Sequence, residues 1–256
     1  MQPKIIARDY IRRAGFNLSR WPQRPDDTVL NWSLAAVLRA HNVNCVLDVG
    51  ANNGQFGRLI RSLGYNDRIV SFEPSPTALP ALRAAAERDG QWEVRPVGLA
   101  AKPGEAKLHL HPDSQFNSLH AALPDSDQPD TTREFSGFNK TDSVAVTLST
   151  LASEYPAAVT GLRDPRVLLK SDTQGHDLDV IAGAGTVLSQ VLAVLVELSA
   201  QPIYEDQPRM TKVIEVLQDE GFAAVSFQPV SRSADRLRAI EFDGLFMRPT
   251  GASESA

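Results

Sequence analysis

Apolar residues cluster along this chain in short runs rich in Val, Leu and Ile, at 45–49, 69–72, 94–99, 167–169, 192–198, 223–227 and 245–247. Runs of this length, bounded by Gly, Pro or charged residues, predict buried strands. Between several of them the apolar positions fall at helical spacing. These segments are 56–63, 76–89 with Leu79, Leu82 and Ala86 on one side, 178–188 and 210–220. Strand–helix alternation of this kind implies β-α-β crossovers. The pattern therefore predicts an α/β fold, a mostly parallel seven-stranded sheet with helices on both faces. The last two strands, 223–228 and 241–248, have no helix between them, so they must pair antiparallel as a C-terminal hairpin.

Two segments, 106–111 and 143–148, alternate at period two and predict half-buried strands of a small inserted ribbon. Residues 112–142 lie between them, rich in Pro, Asp, Ser, Thr and Gln. That is too long for a plain connector and predicts a mobile tip or a lid over a site. The expected organisation is a helical extension over 1–42, one domain over 43–249 with the ribbon and lid at 104–148, and a disordered tail over 250–256.

Composition narrows the function. At 256 residues and 42% apolar, the chain can bury a sizeable core. No apolar run reaches the ~18 residues of a membrane-spanning helix, and the N-terminus shows no secretory signal, so a cytoplasmic location is expected. The lone Cys45 reads as a buried small hydrophobe. A formal charge of −5 argues against a nucleic-acid partner. Charge is uneven, however: Lys4, Arg8, Arg12, Arg13, Arg20 and Arg24 face the single acid Asp9 near the N-terminus. A helix there would either pack a thin apolar stripe on the body or meet an anionic substrate or lipid headgroups as a peripheral membrane contact.

Candidate chemistry begins at "VLDVGANNGQF", residues 46–56. In an open parallel sheet, ligands sit at the carboxyl ends of the strands. Gly50 lets the chain turn sharply there, and Gly54 opens the next helix and clears a ligand's path. The spacing is D-x-G-x-N-x-G, with Asn52 where a glycine could stand, and not the G-x-G-x-x-G of a dinucleotide site. Asp48 would repel a pyrophosphate but attract a cationic ligand. The next strand ends in Glu73 followed by Pro74. An acid at that position can accept both hydroxyls of a ribose. Together these features favour S-adenosylmethionine over NAD as the cofactor. Their structural alternatives are a capping or loop-bracing Asp48 and a Glu73 paired within the protein.

The segments "VLDVGANNGQFG", "IVSFEPSP", "FNSL", "VTLSTL", "LLKSDTQGHDLDVIAGA" and "LVELSAQPIYED" resemble, in order, the motifs of FkbM-type methyltransferases. The resemblance spans residues 43–247. It implies a class I methyltransferase (Rossmann-like) fold, S-adenosylmethionine as donor and O-methylation of a sugar, glycolipid or related secondary metabolite. It places Asp48, Gly50, Asn52 and Gly54 in the cofactor loop, Glu73 on the ribose, and Asp172 on a K-x-D element. One departure is "DTQGHD", where many members read D-x-E-G-x-E. Gln174 and Asp177 change the local charge, so no metal is expected.

In that architecture the strand at 167–171 ends beside the first strand's loop, with Asp172 facing the transferred methyl. An alcohol needs its proton removed, and a positioned base contributes roughly 10²–10⁴-fold. Asp172 and His176 are the candidates; the alternatives are a loop brace and a helix cap respectively. Glu197 ends an apolar strand and must be paired or functional, holding acceptor hydroxyls or sharing a cation with Asp172. Lys170 is a candidate to neutralise one of these acids. Asn117 and Ser118 would reach the acceptor or the methionine end of the cofactor. Tyr204 would line the acceptor pocket or simply pack. His109, His111 and His120 invite a metal reading, since 109 and 111 share one strand face, but that spacing is insufficient for a ligand set and a solvated ribbon face is the favoured reading. Two other functions remain: an NAD-dependent enzyme on a similar sheet, and a catalytically silent cofactor-binding module. The oligomeric state is not specified by these features.

Overall fold

The structure is a computed structural model, and it describes residues 29–124 and 142–249. The basic segment at 1–25, the middle of the expected lid and the tail at 250–256 lie outside the described residues. In chain order the elements are α1 (Val29–Ala40), β1 (Cys45–Val49), α2 (Gln55–Ser62), β2 (Arg68–Phe72), α3 (Leu79–Ala86), β3 (Trp92–Arg95), β4 (Gly98–Leu99), β5 (Gly104–Leu110), β6 (Asp142–Ser149), α4 (Leu151–Ala158), β7 (Val167–Ser171), α5 (Asp177–Ala184), β8 (Val191–Ser199), α6 (Met210–Asp219), β9 (Ala223–Arg232) and β10 (Ala239–Met247).

Seven strands form the main sheet in the order β3-β2-β1-β7-β8-β10-β9. The first five are parallel, and β10 runs antiparallel to both β8 and β9. This is the class I methyltransferase architecture, with the expected hairpin at its end. Strand order reverses beside β1, so β2 and β7 flank it with their carboxyl ends together. That is where an open α/β sheet holds its ligand.

The β1, β7 and β8 strands are apolar along nearly their whole length because both sheet faces are covered. On one face Leu30, Leu34, Val37 and Leu38 of α1 pack with Ile60 of α2, Leu82 of α3 and Val46, Leu168 and Leu245 of the sheet. On the other, α4, α5 and α6 bring Leu151, Tyr155, Val180, Ile181, Val213 and Leu217 onto Leu47, Leu169, Val194 and Phe246. The α1 helix is thus integral to the core, although the sequence pattern placed it in an extension. Cys45 is fully buried, and burial pushes its thiol up to about 12.

The run at 94–99 divides. Its first part is β3 of the main sheet; after Pro96 the chain leaves for β4, which pairs with β6 in a second sheet of order β4-β6-β5. Pro96 lacks the N–H that a continuing ladder would need. A Cβ at Gly98 would lie 2.7 Å from the Leu148 side chain, which would have to shift to admit it. The α4 helix was not expected from the apolar pattern. It contains Pro156, but Thr150 caps its start by accepting from the Ser153 N–H at 3.2 Å.

Candidate active site

A cavity of about 530 Å³ opens at the carboxyl ends of β1, β2, β7 and β8 and the amino end of the antiparallel β10. Its volume is that of a small-molecule site. Asn52 and Glu73 lie in its wall, with Phe72, Leu99, Leu108 and Phe116 as apolar lining. Asp172, Gln174, Glu197, Glu241 and Asp243 line it as well, and Asn117 lies in the wall contributed by the segment after β5.

Glu73 is buried, and each of its carboxylate oxygens accepts a backbone N–H: Oε2 from Asn52 at 2.7 Å and Oε1 from Ser75 at 2.8 Å. Burial raises its pKa, and the two N–H groups, Ser75 first, pull it back. Each oxygen retains a lone pair for a hydroxyl donor. The bond from Asn52 also holds the loop, whose Asn52 sits at a left-handed φ of 46°. The Asn52 side chain accepts from Ser114 Oγ at 2.8 Å, joining the loop to the segment after β5. Asn117 braces the same segment, accepting from the His111 N–H at 2.8 Å.

Gly50 has φ 70°, and a Cβ there would lie 1.9 Å from the Asp172 carbonyl oxygen. The glycine turn lets the end of β7 pass against the loop after β1. Gly54 has a different role from the one expected. A Cβ there would meet Leu82 at 3.1 Å and the Trp92 ring at 3.2 Å, so this glycine faces packed apolar side chains and not the ligand's path.

Asp48 also departs from expectation. It is 0% exposed and absent from the cavity wall. Its Oδ2 accepts from Ser71 Oγ at 3.0 Å, and that hydroxyl accepts the Trp92 indole N–H at 3.0 Å. Its Oδ1 lies 3.2 Å from Lys170 Nζ. Asp48 and Lys170 are register partners on adjacent strands, which places the acid under the loop and paired to the lysine instead of directed at a ligand. Lys170 in turn donates to the Gly50 carbonyl at 2.9 Å and approaches Asp172 Oδ2 to 3.6 Å. Burial lowers its pKa, but Asp48 and Asp172 more than compensate, so Lys170 is held above its ordinary range. Lys170 thus neutralises both acids, its side chain on the same strand face as Asp172, two residues away.

Asp172 is 39% exposed, and its Oδ1 accepts from Gln174 Nε2 at 3.1 Å. The same amide donates to Glu197 Oε2 at 2.8 Å, and Gln174 Oε1 accepts from the Tyr204 hydroxyl at 2.9 Å. Gln174 is held at a left-handed φ of 52° by these contacts and by the Ser118 hydroxyl, which donates to its carbonyl at 2.6 Å. A glutamate at 174 would set a third carboxylate beside Asp172 and Glu197. The amide donates to both instead, and this is the physical content of the departure from D-x-E-G-x-E. Asp177, the other departure, is buried and accepts from Ser171 Oγ and both donors of Thr173.

Ser118 is 1% exposed and lies outside the cavity wall, so it braces the Gln174 loop and does not face the ligand space. His176 is likewise outside that wall. Its Nδ1 lies 3.3 Å from His120 Nε2 and 3.4 Å from Asp179 Oδ2. Burial lowers the pKa of both histidines. His120 is therefore part of a half-buried cluster and not of a solvated ribbon face.

Glu241 and Asp243 were not anticipated. They alternate on β10, and Asp243 stands directly opposite Glu197 on β8. Burial pushes both up to about 7, with Asp172 adding to the shift of each. Burial, then Glu241 and Asp172, raise Glu197 well above the carboxylate range. The visible signal was two acids two residues apart in the otherwise apolar "AIEFDGLFM".

The family model described as the methyltransferase FkbM domain matches residues 48–224. The chain belongs to the FkbM methyltransferase family.

No curated protein shows significant sequence similarity to this FkbM-family chain. Similar solved structures include an rRNA methylase from Streptococcus thermophilus, at 13% identity, covering 88% of this chain and 97% of that one with a TM-score of 0.46. Another is a precorrin-6y C5,15-methyltransferase from Geobacter metallireducens, at 14% identity, 86% and 88% coverage and a TM-score of 0.44. These likenesses are distant, and the assignment rests on the family match. S-adenosylmethionine is the cofactor of this FkbM methyltransferase. The donor set fits it: Glu73 presents both carboxylate oxygens beside a backbone turn, next to an apolar slot formed by Phe72, Leu99 and Leu108.

Proposed function

We propose that the protein transfers a methyl group from S-adenosylmethionine to a hydroxyl oxygen of a saccharide, glycolipid or related secondary metabolite in the cytoplasm. The observation that carries this reading is one cavity with Glu73 and Asp172, from the ends of two strands that flank β1, both in its wall. Glu73, fixed by two backbone N–H groups, marks the nucleoside end, and Asp172, held by Lys170 and Gln174, marks the reacting end. The bound cofactor would supply an electrophilic methyl on a sulfonium that leaves as a neutral thioether.

The remaining chemistry belongs to this chain. Asp172 accepts the hydroxyl proton as the new C–O bond forms; of the two candidate bases it is the one in the cavity wall. Gln174 fixes the direction of the Asp172 carboxylate. Glu197, Glu241 and Asp243 surround the acceptor space with oxygen atoms that accept hydrogen bonds when ionised and donate one when protonated. Such a lining suits a polyhydroxylated acceptor. Asn52 and Asn117 complete the cofactor end. Among the described residues no helix is long and apolar enough to cross a membrane.

The test is mass spectrometry of metabolites and glycolipids from cells with and without the gene, looking for a species shifted by one methyl group. It is paired with Asp172→Asn in the purified protein, which should retain cofactor binding and lose transfer. A purified protein that binds the cofactor but methylates nothing in an extract of such acceptors would mark a silent binding module.

A further inference from the structure

His120, His176 and Asp179 each offer one ligand atom, and these atoms all lie within 4.8 Å of one another. Two segments distant in sequence deliver them. His120 follows the cavity-wall segment after β5, His176 immediately precedes α5, and Asp179 lies in the first turn of α5. Two of the three separations match a shared ion. Two ligand atoms bound at 2.0–2.1 Å to a tetrahedral ion sit about 3.3 Å apart, from the tetrahedral angle alone. His176 Nδ1 is 3.3 Å from His120 Nε2 and 3.4 Å from Asp179 Oδ2. The imidazole rings are tilted at 52° with centroids 5.3 Å apart, so the nitrogens converge and the rings do not stack.

The surroundings support the three atoms. Asp206 adds a further negative charge near His120. The His120 backbone N–H donates to Ser118 Oγ, whose hydroxyl holds the Gln174 carbonyl. The His176 carbonyl accepts the Asp179 N–H at 3.1 Å, which sets those two side chains one helical turn apart on one side.

We propose that His120, His176 and Asp179 form a binding site for a divalent metal of the zinc class, separate from the cavity and with a fourth position open to water. Two imidazole nitrogens and one carboxylate oxygen are a recurrent zinc ligand set. The ion joins the segment that supplies Phe116 and Asn117 to the loop that carries Gln174. Its role is to fix that loop, and no step of methyl transfer passes through it.

The test uses the full chain, stripped with a chelator and titrated with Co²⁺ as a spectroscopic probe and then with Zn²⁺ in competition. One equivalent of Co²⁺ should bind and produce the strong visible absorption of a four-coordinate ion, and Zn²⁺ should displace it and raise the melting temperature. His120→Ala and Asp179→Asn should each weaken binding by at least about tenfold. Should His120→Ala fail to fold, Asp179→Asn decides alone, since that side chain is 45% exposed. A wild-type chain that takes up no cobalt, or gives only the weak absorption of a six-coordinate ion, overturns the proposal. So does binding that is equal in the wild type and the variants. Failure to bind cobalt leaves the cofactor cavity untouched, so this outcome is distinct from failure of the transfer reaction.

Discussion

Replacing Lys170 by methionine keeps an unbranched side chain, one atom shorter, and removes its charge. Asp48, 0% exposed, then keeps one hydrogen bond, from Ser71, and loses its cation at 3.2 Å. With an effective dielectric constant of about 20, an ion pair at that separation is worth about 5 kcal/mol. Stranding one partner of a buried pair generally costs about 3–5 kcal/mol. Asp172 adds little to this, since it is 3.6 Å away and partly exposed. Lys170→Met should therefore destabilise the fold by about 3–5 kcal/mol. For a urea dependence of about 2.5 kcal/mol per molar, the unfolding midpoint moves down by about 1–2 M. A second substitution, Asp48→Asn added to Lys170→Met, removes the stranded charge and should recover about 2 kcal/mol. The coupling energy is that recovery plus the cost of Asp48→Asn alone, the fourth protein of the cycle, and it is well above the error of such cycles. Urea unfolding of the four proteins at neutral pH, followed by circular dichroism, provides the measurement. A midpoint that moves by less than about 0.3 M, or a double variant no more stable than Lys170→Met, would refute the ion pair as the support of this loop.

Three other outcomes follow from the site. Glu73→Ala removes the acceptor for two backbone N–H groups and should weaken S-adenosylmethionine binding by about several-fold to a hundredfold in calorimetry; an unchanged dissociation constant would contradict its place at the ribose. Gly50→Ala sets a Cβ 1.9 Å from the Asp172 carbonyl at φ 70°, and should cost at least about 3 kcal/mol in thermal unfolding, whereas a loss under about 1 kcal/mol would show that the β7 end can yield. Asp243 and Glu241 sit near 7 in the fold against ordinary values of 3.8 and 4.5, so the unfolded chain releases these protons first as pH rises. Their contribution to stability is full below about pH 4 and is lost progressively up to about pH 7, at roughly 1.4 kcal/mol per pH unit per group at most. The melting temperature should fall over that window and fall less in Asp243→Asn; equal slopes in both proteins would contradict the assignment.

Strand positions were legible where burial on both faces forces continuous apolar runs, as in β1 and β8. Helices such as α6 were legible from their one-sided stripe. The division at Pro96 was obscured because Val94, Val97 and Leu99 read as one strand, although the proline had already removed the needed donor. The α4 helix was hidden by Pro156 and visible only through its Thr150 cap. At the site, Glu73 and Asp172 could be placed because each sits where a strand meets its loop. Asp48 had the same sequence context but points into the sheet. Periodicity gives a residue's face, while its partner, Lys170, comes from the neighbouring strand 122 positions later. Gln174 looked like a loss of charge when considered alone. Its use becomes evident only with Asp172, Glu197 and Tyr204 around it.

The contact between Gly50 and the carbonyl of Asp172 has a thermodynamic consequence. If donor and acceptor are held on either side of that contact, as proposed, a shift of tenths of an ångström made by one guest is passed to the other. Occupancy of either compartment should then alter affinity in the second, and linkage requires the two effects to be equal in size.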